Sequence, residues 1–356
     1  MPKNRYAKMI GEKIVETLNG FGIKAVYKGF TFGCIYTLYE IAVDPGTRVL
    51  SVLCHEDDLA VALSEESVRI IAPIPGKRTI GVEVPNRIGC SVYFCSFVPE
   101  LEKCTGAIPI VLGMDVYGNR YVTDLAGCPH LLIAGNPRTG KTTFINSLIH
   151  SILLTRTPAD VKLALIDTKD TLYAERMEIP NLLFPIITEP KAALDFFDYL
   201  FEEKERRLEL LKAKGVRNIS EYNGGISEDD PSNLKIPYLV VIVDEYSDLM
   251  LEDGKWFESM IGQIAPKGET VGIHLVLSTN RCTSDVITGV IKTQFPSQLA
   301  FEVSSGLNSR IVIDQLGAER LLDHIGDFLY CPKGSRTPLR LQGTDIINGD
   351  KPFLYK

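Results

Sequence analysis

A chain of 356 residues, 45 % hydrophobic and 23 % charged, is long enough for two domains with sizeable cores. A net charge of −7 excludes a generally basic coat, so contact with nucleic acid has to be confined to one loop or channel. No apolar run reaches membrane-spanning length, and the mixed-charge, amphipathic start reads as neither a signal peptide nor an anchor.

Residues 5–20 place Tyr6, Met9, Ile10, Ile14, Val15 and Leu18 at helical spacing, with Gly20 as the stop. β-like runs follow at Ile23–Tyr27, Gly33–Val43, Val49–Leu53 and Val68–Ile71, interrupted by a helical piece around Asp57–Leu63. A turn cluster at Pro73–Lys77 leads into an alternating strand, Thr79–Val84. In that turn Lys77 and Arg78 read as solvated. Residues 1–100 thus form a small α+β domain, and 98–112 read as a linker into a second domain, 101–350. There a strand and hairpin over 108–119 precede strands that alternate with helices. The strands are His130–Ala134, Val161–Asp167, Tyr238–Val243, Ile273–Ser278 and Leu299–Val303. The helices include Ala192–Lys214, with Glu202–Arg207 as its charged face, and Trp256–Ala265; a polar loop spans Asn223–Lys235. Continuous apolar strands separated by helices predict a parallel sheet covered on both faces. The eight cysteines form no CxxC pair and read as buried free thiols in a reducing cytoplasm.

The chemistry centres on Gly135-Asn136-Pro137-Arg138-Thr139-Gly140-Lys141-Thr142-Thr143, which has the GxxxxGKT spacing of a phosphate-binding loop between a strand and a helix. Its glycines let several backbone N–H groups face one oxyanion cluster, and the helix adds its positive end. Lys141 is placed for the β- and γ-phosphates of ATP and Thr142 for Mg2+. The strand ending at Asp244-Glu245 supplies a carboxylate for the metal and another to orient or activate water. Asn280, at the end of Ile273–Ser278, is placed to sense the γ-phosphate. Asp167 and Lys169 either line the same cleft or form a structural ion pair. Arg281, Arg310 and Arg320 are positional candidates for a trans-acting arginine, with surface solvation preferred for Arg320.

These stretches, in this order, resemble the motor portion of the FtsK/SpoIIIE family: PHLLIAGNPRTGKT, VKLALIDTK, IPNLLFPIIT, ERRLELLKAKGVRNISEYN, IPYLVVIVDEYSDLM, GIHLVLSTNR, SDVITGVIKTQFPSQLAFEVSS and NSRIVIDQLGAERLL. The similarity extends through FGIKAVYKGFTFGCIYTLYEI and SVRIIAPIPGKRTIGVEVPN in the first domain. The resemblance implies a RecA-like P-loop NTPase domain, ATP and Mg2+ as cofactors, and a homo-oligomeric, hexameric ring. It also implies movement along double-stranded DNA, with ATP at the subunit boundaries. Lys141 and Thr142 match the family's nucleotide loop, and Asp244 and Glu245 its metal and water-activating pair.

There are departures. The family usually has glutamine at Asn280 and proline at Cys282. The segment Pro266–Thr270 lacks the arginine donated to a neighbour, and Gln298 stands where a basic residue is usual. Either Lys267 or Arg310 replaces the trans-acting group, or hydrolysis is slow. Pore loops are expected in Thr283–Lys292 and near Lys255–Lys267. The chain stops soon after Tyr355, which implies a motor without the winged-helix or membrane module. Such a motor resembles those of mobile elements, working in the cytoplasm with membrane-bound or relaxosome-type partners. The alternatives are an ATP-binding coupling or assembly protein with weak hydrolysis, and a polypeptide-secretion ATPase.

Overall fold

The computed structural model describes residues 3–74, 76–87, 89–169, 179–226, 234–321, 324–335 and 337–346. Pro75 of the predicted turn, residues 227–233 of the predicted polar loop, and Tyr355 lie outside them.

The chain opens with α1 (Lys3–Gly20), whose Ile10, Ile14 and Leu18 share one stripe and are buried. β1 (Ala25–Phe32) and β2 (Tyr36–Val43) follow, then α2 (Val49–Leu53), α3 (Glu56–Leu63), β3 (Arg69–Ile71) and β4 (Ile80–Pro85). The four strands form an antiparallel sheet in the order β1-β2-β4-β3, and α1 and α3 share a core with it. The strand predicted at Val49–Leu53 is a helical turn instead. Ser51 donates to Arg48 O through both its N–H and its hydroxyl; Val52 is buried in the core and Leu53 packs partly against it. A five-residue apolar run does not distinguish strand from helix by period alone, and here local bonds decide.

The segment predicted as a linker contains α4 (Val98–Lys103). Its Leu101 packs with Phe97 and Val111 in a small core of its own, so the segment is structured. β5 (Pro109–Met114) and β6 (Arg120–Asp124) form the predicted hairpin and lead to β7 (His130–Ala134). The order continues with α5 (Lys141–Thr155), β8 (Val161–Asp167), α6 (Pro190–Lys214), α7 (Ile219–Gly224), β9 (Tyr238–Asp244) and α8 (Ser247–Val271). It ends with β10 (Ile273–Thr279), α9 (Gly289–Gln294), β11 (Ser297–Phe301), α10 (Gly306–Ile313), β12 (Asp327–Cys331) and β13 (Leu339–Gln342).

These strands build one sheet in the order β6-β5-β13-β12-β11-β7-β10-β9-β8. The five from β11 to β8 are parallel, as expected of a RecA-like α/β fold; the other four extend the sheet antiparallel. Leu132, Val241 and Leu275 face one core while Leu131, Val240 and Val276 face another. Both faces of the strands are therefore buried, which is why they read as unbroken apolar runs.

Glu202–Arg207 is not simply a charged face. Lys204 and Arg207 are buried against α8, donating to Gln263 O (3.1 Å) and Val271 O (2.9 Å). The thiols also differ from expectation: none of the eight forms a disulfide, as expected, but Cys54, Cys90 and Cys95 are exposed rather than buried. Lys77 pairs with Glu40, and Arg320, expected to be solvated, pairs with Glu56 and Asp57.

Candidate nucleotide site

The site is built on the carboxyl ends of β7, β10 and β9, which are adjacent in that order. Two strand spacings separate the loop after β7 from the acidic pair after β9, about 10 Å.

β7 is fully buried and ends at Ala134; the chain then turns at Gly135 (φ 158°), Arg138 (φ 67°) and Gly140 (φ 108°). The left-handed residues curl the backbone into a concave loop. A Cβ on Gly140 would lie 2.6 Å from Gly326 N, so only glycine lets the loop lie against the segment entering β12. Gly326 N donates to Thr139 O (2.8 Å), Asn136 N to Glu302 O (2.7 Å), and Ser304 Oγ to Asn136 Oδ1 (2.9 Å). Thr139 Oγ1 closes the loop on Asn136 O (2.8 Å), while Pro137 and Arg138 stand exposed at its tip.

Lys141 opens α5 and folds back into the loop, its Nζ donating to Gly135 O (2.9 Å) and Asn136 O (2.6 Å). Burial pulls its pKa down to about 8, against the opposing pull of Asp244 and Glu245. The cap residue of α5 is Gly140, which brings no capping side chain, and the first turn carries no acidic residue. The first-turn N–H groups, with the positive helix end, make an anion site; Thr142 and Thr143 stand half-buried in that turn.

β9 delivers Asp244, in register with Asp167 of β8. Burial raises the pKa of Asp244, and the Asp167 and Glu245 carboxylates add to the effect. A cation between Asp244 and a polyphosphate relieves this cost. Thr142 and Asp244 offer hard oxygen ligands, and among the described residues no group of three or more His, Cys, Asp or Glu is placed to hold a metal ion. That donor set fits Mg2+, which is bound by a few protein oxygens together with phosphates.

Glu245 sits at φ 61° and is 4 % exposed. Its Oε1 accepts from Ser247 Oγ (2.6 Å), Thr279 Oγ1 (2.7 Å) and Asn280 N (3.1 Å). Oε2 accepts from Lys169 Nζ (3.0 Å), Asn280 N (3.1 Å) and Asn280 Nδ2. Burial works to raise its pKa, but these bonds outweigh burial and keep the carboxylate below its ordinary range. Asn280 therefore lies between the two nucleotide strands, as its position predicts, with its amide on Glu245.

Lys169 and Glu245 form an ion pair at the cleft, which joins the two alternatives left open for Lys169. Ser247, Thr279 and Cys282 were not anticipated. Cys282 is buried near Lys141, and burial pushes its thiol up to about 11, so it stays neutral. Nothing in the spacing of these residues marks them; only strand register does. Lys267 and Arg310 are exposed, and among the described residues no hydrogen bond or ion pair joins their side chains to the cleft. Gln298 is buried, donating to Phe295 O, and Lys292 is tied to Asp314. A cavity of about 640 Å³ adjoins the loop, lined in part by Thr143, Phe144, Ile325 and Gln342. The Gln342 Oε1 is a buried acceptor with no hydrogen-bond partner among the described residues.

The model of the FtsK/SpoIIIE family matches residues 99–284, and that of the FtsK alpha domain matches residues 2–86. The chain belongs to the FtsK/SpoIIIE family. Within it, this member is 43 % identical over 333 residues to the DNA translocase FtsK of Treponema pallidum, covering 93 % of this chain and 42 % of that protein. It is 42 % identical over 344 residues to the DNA translocase FtsK of Lactiplantibacillus plantarum, covering 95 % and 43 %. The chain thus spans less than half the length of these FtsK relatives. Its fold is similar to that of the pCW3 conjugation coupling protein TcpA, solved with ATPγS. The TM-score is 0.64 at 20 % identity, over 94 % of this chain and 95 % of that one. Among the described residues, no helix is long and apolar enough to cross a membrane.

Proposed function

We propose that this family member is an ATP-hydrolysing motor that moves or transfers double-stranded DNA as a homo-oligomeric, hexameric ring in the cytoplasm. The observation that carries the reading is that Lys141 and Thr142 follow the loop after β7 while Asp244 and Glu245 follow β9, two strands away across β10 at the same end of the sheet. The names of its relatives, DNA translocase and conjugation coupling protein, support DNA as the substrate. Residues 135–143 cradle the phosphates of ATP, and the adjoining cavity takes the base. Thr142 and Asp244 hold Mg2+, which when bound neutralises phosphate charge. Glu245 takes a proton from water as the water oxygen bonds to the γ-phosphorus and the bond to the β–γ bridging oxygen breaks. Asn280 positions Glu245. Residues 1–100 and 101–350 form the two tiers of the ring. Lys267 or Arg310, both exposed, completes the site from a neighbouring copy. A mobile-element host and membrane-bound or relaxosome-type partners complete the proposal.

The test is an ATPase assay titrated with duplex DNA at low salt, where phosphate contacts are strongest. Wild-type turnover rises with DNA, and Lys141→Ala abolishes it; a rate indifferent to DNA overturns the motor reading. A second reading, an ATP-binding coupling protein with weak hydrolysis, is favoured by the six donor contacts already made to Glu245. Tight ATP binding with turnover near zero, with or without DNA, supports that reading instead.

A further inference from the structure

A carboxylate has about four lone-pair sites, and those of Glu245 are fully engaged. Of the described donors bonded to it, Lys169 is the cation, and its contact lowers the basicity with which Glu245 takes a proton from water. Its donors are not equivalent. Ser247 and Thr279 are buried hydroxyls fixed by the backbone at the start of α8 and the end of β10, and Asn280 adds its own backbone N–H. Lys169 alone is long, unbranched and 45 % exposed, with an ammonium able to turn to another acceptor. Its stem is fixed at the base: Lys169 N donates to Asp167 Oδ1 (3.2 Å), and the neighbouring Thr168 Oγ1 bonds Asp248 Oδ2 (2.6 Å). The Lys169 charge also opposes that of Lys141, so the two cations are near enough to repel each other. A polyanion between them relieves that repulsion and competes with Glu245 for Lys169.

We propose that Lys169 is a positioning residue that exchanges partners: its ammonium holds Glu245, and the terminal phosphate of a bound triphosphate draws it away, leaving Glu245 with neutral donors only and so basic enough to take a proton from the attacking water. A diphosphate lacks the group that reaches Lys169 and leaves the pair intact. This role rests on ATP being the ligand of the site. It makes Glu245 competent only when a γ-phosphate is present.

Fluorescence titrations of the full chain with ATPγS and with ADP test the exchange in wild type, Lys169→Gln, Lys169→Arg, Glu245→Gln and the Lys169→Gln/Glu245→Gln double variant. Lys169→Gln lowers the preference for ATPγS over ADP by about tenfold, the worth of one charge-assisted contact, and Lys169→Arg retains it. Glu245→Gln removes the competing charge and raises the preference, and the rise disappears in the double variant. Thermal melting of Lys169→Gln stays at the wild-type midpoint, since the side chain is half-exposed. An unchanged preference in Lys169→Gln overturns the exchange while leaving ATP binding standing; a wild-type chain that binds neither nucleotide overturns both.

Discussion

Lys141 carries a charge that its surroundings resist. Its pKa is lowered to about 8 because burial inside the loop strips water from the ammonium, and two backbone carbonyls replace only part of that hydration. The phosphates it is placed to meet favour the charged form. Nucleotide affinity is therefore full below about pH 8 and weakens as pH rises through it, as Lys141 gives up its proton. One pH unit above, the Kd is higher by about tenfold. Titration with a fluorescent ATP analogue between pH 6.5 and 9 checks this; a flat profile there excludes Lys141 as the titrating group. Glu245 shows the opposite balance: it too is buried, yet its hydrogen bonds hold the carboxylate ionised.

Helices α6 and α8 are joined by more than apolar contact. Arg207 crosses from α6 to Val271 O, in the last turn of α8, and bonds Glu203 in its own helix (2.7 Å). One side chain thus satisfies an end carbonyl of α8 and places a cation at its negative pole. Arg207→Ala leaves that carbonyl without this donor and opens a gap beside the helix pair. It costs about 2–3 kcal/mol, read as a lowered midpoint in urea unfolding with little change in slope. Arg206, exposed on the next position and also bound to Glu203, is the control whose loss costs under about 1 kcal/mol. Spacing alone places 206 and 207 together in one charged run; the facing helix separates their roles.

Across the whole molecule, the two sheets meet at a buried charge cluster. Arg340 of β13 bonds Asp327 of β12 through two nitrogens (3.0 and 2.6 Å), reaches Glu83 of β4, and lies over the Tyr36 ring at 4.1 Å. Arg69 of β3 joins Glu83 from the other side (3.2 Å). Asp327 directly follows Gly326, which is bonded to the phosphate loop at Thr139. The junction between the sheets is thus two bonds from the nucleotide site. Removing one member of a buried charge network strands the others, so Arg340→Ala destabilises by about 3–5 kcal/mol. Differential scanning calorimetry should show the loss, with a sharp single transition in wild type broadening as residues 1–85 uncouple from the larger sheet. An unshifted midpoint excludes the cluster as the tie between the sheets.

Much of this was legible in the linear chain. The phosphate loop, the acidic pair and the buried parallel strands depend on adjacent residues or on local periodicity: glycine permits left-handed backbone without steric cost, and a strand buried on both faces is mostly apolar. The misread segments were those whose state is set from outside. Val49–Leu53 is a strand by propensity and a helix by its local bonds; residues 98–112 read as a linker because a short helix with one buried leucine has little period to detect. Arg207, Lys204 and Arg340 look like surface cations until a partner element closes over them. The surroundings of Glu245 belong to the same group: apart from Ser247, two residues on, its partners Lys169, Thr279 and Asn280 are distant in the chain. They meet only because β8, β9 and β10 lie side by side in register, and hydrogen bonding between strands is a long-range contact that local sequence does not encode.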